Sequence, residues 1–217
     1  MTAAVDATAL MNRMYRRQRH VYDLTRKHYL LGRDDLIAGL RPDVGDRVLE
    51  LGCGTGRNLI AASTRYPGAR FFGVDVSTEM LTSAIVRIER ANLRRRIRVA
   101  HADATRSIPI SLFGTNRFER IYISYALSMM PGWAATLDVA LGHLAPRGEL
   151  HVVDFGGQER MPRWVRGALR MWLAQFHVRP CDRLEQELRL RAGASEASLQ
   201  VERPYRGYAQ YAVFRAG

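Results

Sequence analysis

Three glycines at alternate positions follow the acidic residue Glu50. Gly52, Gly54 and Gly56 let the backbone turn tightly and approach a ligand closely, because no Cβ atom stands in the way. The spacing is GxGxG and differs from the GxGxxG of dinucleotide-binding turns, in which a pyrophosphate rests on a helix N-terminus. The turn therefore predicts a site for a ligand without phosphate groups.

Two further acids stand at the ends of apolar segments downstream of this turn. The segment RFFGVD ends in Asp75, about 20 residues after the glycines, the interval at which a carboxylate accepts hydrogen bonds from a ribose diol. The segment IRVAHAD ends in Asp103, where a carboxylate can accept a hydrogen bond from an exocyclic amine. Together these features favour a nucleoside as the ligand.

A parallel sheet would bring these residues to one edge, because open α/β sheets bind ligands at the carboxyl ends of their strands. The apolar residues at 48, 49 and 51 are typical of a strand buried on both faces. Asp154 falls at the carboxyl end of another predicted strand, whereas His151 is predicted to lie inside it. Further strands are predicted at 70–75, 97–103, 118–125 and 149–155 and near 199–202 and 208–214, and helices at 57–66, 77–91, 131–144, 160–178 and 182–191.

The motifs ELGCGTG, GVDVSTEML and HADAT, in this order, resemble those of the class I S-adenosylmethionine-dependent methyltransferases. The resemblance implies an α/β fold with a Rossmann-like, seven-stranded, mostly parallel sheet, helices on both faces and an antiparallel C-terminal strand. It implies S-adenosylmethionine as the cofactor, with Val76 and Met80 beside the adenine and with Asp103 and Ala104 reading its edge. Met80 has the alternative of being a core residue. The cofactor-binding residues predicted in this way are Tyr22, Arg33, Glu50, Gly52, Gly54, Gly56, Asn58, Asp75, Val76, Met80, Asp103, Ala104 and Ser124.

The N-terminal segment has a helical pattern from about residue 7 to residue 40. Tyr15, Tyr22 and Tyr29 recur every seven residues and would share one helix face. They either dock this helix on the domain or belong to a lid, residues 1–40, that closes over the cofactor with Arg33 pointing inward. We expect residues 41–217 to form the methyltransferase domain.

The chain is strongly basic, with 33 Lys and Arg against 21 Asp and Glu and a net charge of +12. Such a charge favours a polyanionic partner, either nucleic acid or an anionic membrane surface, although genome base composition alone can favour Arg over Lys. The sequence has no uninterrupted apolar run of membrane-spanning length and no signal-peptide pattern, which predicts a cytoplasmic location. Two isolated cysteines indicate neither a disulfide framework nor a zinc site.

The predicted helix at 160–178 is amphipathic. Its apolar residues, Trp164, Leu169, Trp172 and Phe176 among them, follow helical spacing, and arginines occupy another side. This pattern is typical of a helix that lies in a membrane interface, and a helix that covers a sheet has a similar stripe. Both alternatives remain open at this point.

Four longer segments, RHVYDLTRKHYLLGRD, ISYALSMMPGW, HVVDFGGQERMPRW and YRGYA, are similar to those of the bacterial betaine-lipid N-methyltransferases. This resemblance implies trimethylation of the amine of diacylglycerylhomoserine to diacylglyceryl-N,N,N-trimethylhomoserine. It also implies a lipid substrate at an anionic membrane surface, reached by a protein peripherally associated with the inner face of the membrane. Tyr125 and Asp154 are the predicted catalytic residues, and the predicted substrate-binding residues are Tyr15, Tyr29, Tyr205, Arg206 and Tyr208.

Two rival functions remain. One is N-methylation of phosphatidylethanolamine, which differs in the headgroup. The other is an RNA-binding methyltransferase or a nucleic-acid-binding module that uses the arginine excess. Residues 124–127 read Ser-Tyr-Ala-Leu, where amino-base methyltransferases often carry an Asn/Asp-Pro-Pro-aromatic motif. This departure argues against a nucleic-acid substrate.

Overall fold

The computed structural model describes residues 30–176 and 178–217. Seven strands form one sheet in the order β3-β2-β1-β4-β5-β7-β6, and β7 is antiparallel to both of its neighbours while the other pairs are parallel. The predicted Rossmann-like sheet with its C-terminal hairpin is confirmed. The strands are β1 (Arg47–Leu51), β2 (Arg70–Asp75), β3 (Ile97–His101), β4 (Phe118–Ser124), β5 (Leu144–Phe155), β6 (Ser198–Glu202) and β7 (Ala209–Arg215).

Helices pack on both faces of the sheet. They are α1 (Arg33–Gly39), α2 (Arg57–Arg65), α3 (Thr78–Arg90), α4 (Ile110–Phe113), α5 (Ala134–Gly142), α6 (Arg163–Gln175) and α7 (Leu184–Gly193). Helices α1, α2, α3 and α6 share one core cluster with Phe71 and Tyr122, and α4, α5 and α7 share a second cluster with Phe72 and Ile121. Successive strand residues supply opposite faces, as the alternation along a strand requires. A single 3-10 turn, Leu127–Met129, follows β4, and a turn at Pro204–Gly207 precedes β7.

The predicted element boundaries need three corrections. The N-terminal helix is not continuous to residue 40, because Gly32 takes a left-handed φ of 80° and α1 starts only after it. The segment 144–148 belongs to β5, although a helix end and a turn were predicted there. The register between β5 and β4 shifts in this segment. Helix α6 is shorter than 160–178, since Pro162 in an extended conformation sets its start.

His151 lies inside β5, as predicted, and is almost fully buried. Its Nε2 lies 2.9 Å from the Glu149 carboxylate and its Nδ1 lies 2.8 Å from the Tyr211 hydroxyl. The Glu149 carboxylate also accepts a hydrogen bond from Arg215 at 2.8 Å. These side chains form a network on the sheet in which their hydrogen-bonding groups are paired with one another. In the described ranges, no helix is long and apolar enough to cross a bilayer.

Candidate functional site

The glycine turn after β1 forms the floor of the candidate site. Gly52, Gly54 and Gly56 all have positive φ, at 74°, 51° and 72°. The N–H groups of Gly52 and Cys53 donate to the Val74 carbonyl at 2.9 and 3.0 Å, which ties the turn to the end of β2. A Cβ on Gly54 would meet nothing within 4 Å, so this turn faces open space there.

Asp75 links the glycine turn to the start of α3. Its Oδ2 accepts a hydrogen bond from the Gly54 N–H at 2.7 Å, and its Oδ1 accepts one from the Ser77 N–H at 2.9 Å. Ser77 is the N-cap of α3, and its hydroxyl accepts from the Met80 N–H at 3.3 Å. The carboxylate predicted to bind the ribose thus stands directly beside the turn, and its contact with a ribose remains a prediction.

Glu50 is the fully buried acid of the site. Its Oε1 accepts a hydrogen bond from Asn58 Nδ2 at 2.8 Å and its Oε2 accepts one from the Tyr122 hydroxyl at 3.1 Å. Burial raises the pKa of Glu50 to about 8, although both donors and the positive charge of the nearby Arg33 lower it. A cationic ligand group at this carboxylate would favour its charged form.

Tyr122 was not among the predicted site residues. The sequence feature that could have identified it is a tyrosine within a buried strand, because a buried phenol needs a hydrogen-bond partner.

The predicted adenine-binding residues follow β2 and β3. Met80 is buried in α3, and its place beside the adenine remains a prediction. Val76 is half-buried, and Ala104 is buried. Asp103 Oδ1 accepts hydrogen bonds from the N–H and the hydroxyl of Thr105 at 2.9 and 2.7 Å, which fixes the turn that carries it.

Ser124 ends β4 beside the glycine turn. Its hydroxyl oxygen is buried and has no hydrogen-bond partner among the described residues. The hydroxyls of Ser63 and Ser128 are in the same condition, and that of Ser124 differs in lying beside the glycine turn, where a ligand can supply the missing hydrogen bond. A Cβ on Gly52 would lie 2.7 Å from the Ala126 Cβ, so the loop after β4 closes directly onto the turn. The unpartnered hydroxyl, the open space over Gly54 and the acids at three strand ends fit a nucleoside with a cationic group.

Three aromatic rings meet where β4, β5 and β7 converge; we call Tyr125, Phe155 and Tyr208 the aromatic cluster. Tyr125 packs edge-on against Phe155 with ring centroids 4.7 Å apart, and Phe155 packs edge-on against Tyr208 at 5.7 Å. Tyr125 has a left-handed φ of 54°, and its hydroxyl donates to the carbonyl of Leu31 just before α1. Burial raises the pKa of Tyr125 well above its ordinary value, so this phenol stays protonated.

Asp154 lies at the carboxyl end of β5 and is fully buried. Its Oδ2 accepts a hydrogen bond from the Ser128 N–H at 3.1 Å and its Oδ1 accepts one from the Phe155 N–H at 2.7 Å. Burial raises the pKa of Asp154 to about 6, against the effect of these donors. The contacts give Asp154 a role in holding the loop after β4, and its predicted catalytic role remains a prediction.

The turn before β7 carries two of the predicted substrate-binding residues. Tyr205, Arg206 and Gly207 all have left-handed φ values, of 54°, 59° and 79°. Non-glycine residues in this region are uncommon and strained, and strain of this kind clusters at functional sites. The Tyr205 hydroxyl donates to Asp35 in α1 at 3.0 Å. The Arg206 side chain is exposed, and within 30–176 and 178–217 no carboxylate is ion-paired with it.

A second loop, residues 156–160, holds this turn in place. The N–H groups of Gly156, Gln158 and Arg160 donate to the carbonyls of Tyr208, Gly207 and Arg206, at 2.9, 2.9 and 3.3 Å. Gln158 is buried, has a left-handed φ of 54° and accepts a hydrogen bond from Arg170 of α6 at 3.1 Å. Sequence reasoning missed Gln158 and Phe155.

The structure therefore brings the predicted residues into two adjoining groups. One surrounds the glycine turn, and the other consists of the aromatic cluster and the turn before β7. Arg33 is buried and lies close enough to Glu50 and Tyr125 to shift their pKa values, so it joins the two groups. The predicted roles of Tyr15, Tyr22 and Tyr29 fall outside the described residues, as does most of the predicted lid.

Comparison with known proteins adds to this geometry. Residues 48–148 match a family model described as a methyltransferase domain. A trans-aconitate 2-methyltransferase of Azoarcus sp. (strain BH72) is 32% identical over 118 residues, which are 54% of this chain and 42% of that protein. The chain thus spans less than half of the length of this curated relative.

Solved structures share the fold. The mitomycin 7-O-methyltransferase MmcR has a TM-score of 0.73 and 16% identity, over 97% of this chain and 60% of that chain. A phosphoethanolamine N-methyltransferase 2 of Haemonchus contortus, solved with S-adenosyl-L-methionine, has a TM-score of 0.63 and 16% identity, over 85% of this chain and 51% of that chain. At these identities the likeness shows the fold alone.

Proposed function

We propose that this chain, which carries a class I S-adenosylmethionine-dependent methyltransferase domain, methylates the amine of diacylglycerylhomoserine three times to give diacylglyceryl-N,N,N-trimethylhomoserine. The observation that carries the proposal is the aromatic cluster together with Arg206, which lies two residues before Tyr208 and has no ion-pair partner among the described residues. The product has a trimethylated amine, which aromatic rings can bind, and a carboxylate close by, which an arginine can bind. The proposal also includes a cytoplasmic protein at the inner face of the membrane.

The cofactor side of the site is supplied by β1 to β4. Glu50 and Arg33 suit the charged amino-acid end of S-adenosylmethionine, Asp75 suits the ribose, and Asp103 with Met80 suits the adenine. The bound cofactor supplies an electrophilic methyl group on a sulfonium sulfur. The protein's part is to hold this group and the acceptor in line, since such alignment accounts for most of the rate of a displacement.

The acceptor side is supplied by the aromatic cluster and by the turn before β7. Ring faces attract ammonium groups and keep this attraction when methylation removes the N–H donors. Arg206 can hold the homoserine carboxylate through a bidentate contact. The hydrogen bonds from residues 156–160 fix the backbone of Arg206, which anchors this exposed side chain at the turn.

The acceptor amine must lose a proton before each transfer. Asp154 has a pKa raised to about 6 by burial and lies one residue before Phe155 of the aromatic cluster. At neutral pH its negative charge would favour the cationic product. Both of its oxygens accept backbone N–H groups, which keeps the carboxylate fixed while the acceptor changes charge.

The direct test offers the purified chain three acceptors with labelled S-adenosylmethionine: diacylglycerylhomoserine, phosphatidylethanolamine and trans-aconitate. We expect labelled mono-, di- and trimethylated products from diacylglycerylhomoserine alone. Methylation of phosphatidylethanolamine in preference to the homoserine lipid would replace the proposed headgroup, and methylation of neither lipid would refute the proposal.

One observation favours a second function, methylation of a carboxylate in a small polyacid. The curated relative named above is a trans-aconitate 2-methyltransferase, and Arg206 with Arg160 suits an acidic substrate as well. In that case trans-aconitate would be the labelled acceptor. Its product would be an ester that releases the label in mild base, whereas an N-methyl group resists the same treatment.

A further inference from the structure

Helix α6 exposes an uncharged face to solvent. Trp164 is 78% exposed and Met171 is 68% exposed, and seven residues of spacing place both on the same side. No acid occurs anywhere in the helix, whose sequence is RWVRGALRMWLAQ. The exposed residues after its first position are Trp164, Gly167, Ala168, Met171, Ala174 and Gln175, which we call the outer face.

The opposite side of α6 packs on the core. Leu173 is buried in the same core cluster as Tyr125, Phe155 and Tyr208, and Leu169, Trp172 and Phe176 pack against that cluster. The stripe formed by Leu169, Trp172, Leu173 and Phe176 is therefore enough for the helix to cover the sheet. Trp164 and Met171 lie outside that stripe and need another explanation.

Three arginines lie beside the outer face. Arg160 and Arg163 are exposed and Arg166 is half-buried, and the described ranges hold no ion pair for any of the three. Helix α7 gives the contrast. Its Arg189 pairs with Glu185 at 2.7 Å, and its Arg191 pairs with Glu187 and Asp138 at 2.8 and 2.7 Å. Arg189 and Arg191 of α7 are ion-paired, and so is Arg170 of α6 with Asp182 at 2.7 Å, whereas Arg160, Arg163 and Arg166 have no ion pair in the described part of the chain.

We infer that the outer face of α6 is the surface by which the chain docks on an anionic bilayer. Trp and Met side chains enter the boundary between headgroups and acyl chains, and the bordering arginines meet the lipid phosphates. Because α6 shares a core cluster with the aromatic cluster and contacts Gln158 through Arg170, docking sets the acceptor site against the membrane. This inference rests on the proposed lipid substrate and adds the surface that reaches it.

The test measures binding to vesicles of phosphatidylglycerol and phosphatidylcholine by co-sedimentation. The double variant Trp164→Ser with Met171→Ser should bind about tenfold more weakly, since two large apolar side chains no longer leave water. The matched control Leu190→Ser removes a 62% exposed apolar side chain from α7 and should bind like the wild type. Equal binding by wild type and double variant, or an equal loss in the control, would overturn the inference.

The charge requirement has its own pair of variants. Arg163→Gln should weaken binding to the anionic vesicles by about fivefold and should have little effect on pure phosphatidylcholine. Arg189→Gln, which removes an arginine already paired with Glu185, should change neither. Equal losses from the two variants would contradict the docking surface.

Tryptophan fluorescence reports whether the face enters the lipid. Vesicles should shift the wild-type emission to the blue, and Trp164→Phe should keep binding while losing most of this shift. The other tryptophans, Trp133 and Trp172, then supply the residual signal. A full shift in Trp164→Phe would contradict insertion at this face. The inference would also be contradicted if the wild type did not bind vesicles and instead formed a dimer in solution that the double variant dissociates.

Dispersed short-chain diacylglycerylhomoserine separates this inference from the proposed function. The double variant should methylate the dispersed lipid at the wild-type rate and vesicle-bound lipid more slowly, with unchanged cofactor affinity as evidence of correct folding. If the wild type methylates neither lipid yet binds vesicles through this face, the proposed function fails and the docking surface stands. If the wild type methylates the lipid but the outer-face variants bind vesicles as well as the wild type does, the proposed function stands and the docking surface fails.

Discussion

The half of the molecule that we propose holds the cofactor, residues 48–124, and the half that we propose holds the acceptor, residues 125–217, hold their polar groups in different ways; we call them the cofactor half and the acceptor half. In the cofactor half, acids at or near the ends of parallel strands accept hydrogen bonds from neighbouring elements. Glu50 accepts them from the side chains of Asn58 and Tyr122, and Asp75 accepts them from the backbone N–H groups of Gly54 and Ser77. In the acceptor half, backbone hydrogen bonds between two loops fix strained residues, among them Gln158 and Arg206, while the Arg206 side chain stays exposed. Changes in the first half should therefore affect every acceptor equally, and changes in the second should alter acceptor choice.

The largest expected effect lies in the cofactor half. Asp75→Ala should lower the affinity for S-adenosylmethionine about 100-fold, the loss expected for two hydrogen bonds to a charged group. Isothermal calorimetry measures this, with the exposed Glu196→Ala as the control. The rates with all acceptors should fall in proportion at low cofactor concentration. Unchanged affinity would remove Asp75 from the site.

The second effect tests whether the Glu149 network of β5 is structural. Hydrogen bonding from His151, followed by contacts with Arg215 and Arg120, lowers the pKa of Glu149 to about 2. Because this pKa lies below the unfolded value, the stabilisation is present above about pH 4.5 and is lost as the pH falls towards 2. Glu149→Gln should cost roughly 2 kcal/mol of unfolding free energy at pH 7.

Denaturant unfolding at pH 7 and pH 3 checks this stability. The difference between Glu149→Gln and wild type should shrink at the lower pH, and Glu202→Gln, which changes an exposed acid, should show no such dependence. A pH-independent difference would show that the charge of Glu149 is not what stabilises the fold.

Arg206 sharpens the comparison from the acceptor side. Arg206→Ala should raise the KM for diacylglycerylhomoserine about tenfold, by loss of a charge-assisted contact, and should leave cofactor affinity unchanged. Arg206→Lys should recover only part of the loss, because an ammonium group lacks the planar fork. Arg203→Ala removes a neighbour that is paired with Glu159 and Glu185 and should leave the KM near the wild-type value. An equal effect in Arg203→Ala would show that the loss is structural.

The smallest effect is a proton linkage in the cofactor half. With a pKa of about 8, Glu50 is mostly protonated at pH 7, and a cationic group beside it favours the carboxylate. Cofactor binding should then release a proton, so affinity should fall by somewhat less than about tenfold from pH 8 to pH 7 and level off above pH 9. Calorimetry in buffers of different ionisation enthalpy measures this, and Glu50→Gln should bind more weakly without the linkage. A pH-independent wild type would contradict the role of Glu50.

The cofactor half was largely predictable because its signals are local. Positive-φ glycines, an acid at a strand end and the Ser77 cap each occupy a few consecutive residues, and all lie where the sequence placed them. The break at Gly32 was missed because one glycine inside a helical pattern is tolerated in many helices. The extension of β5 over Pro146 was missed because proline and glycine usually end an element.

The acceptor half was harder to predict because its geometry arises between distant segments. Gln158 and Arg206 are 48 positions apart in the numbering, and the hydrogen bonds between their loops depend on the pairing of β5 with β7. A glutamine, the residue at position 158, does not by its type predict a left-handed φ. Tyr205, Arg206 and Tyr208 were predicted from their residue types and from a family resemblance, and their contacts with a substrate remain predictions.

The most direct test of the central claim is the position of the transferred methyl groups. The lipid product formed with methyl-labelled S-adenosylmethionine is hydrolysed, and its headgroup is analysed by mass spectrometry. The account predicts homoserine with all of the label on nitrogen, up to the trimethylated form. Label on a carboxylate oxygen, or an unlabelled headgroup while trans-aconitate becomes methylated, would contradict it.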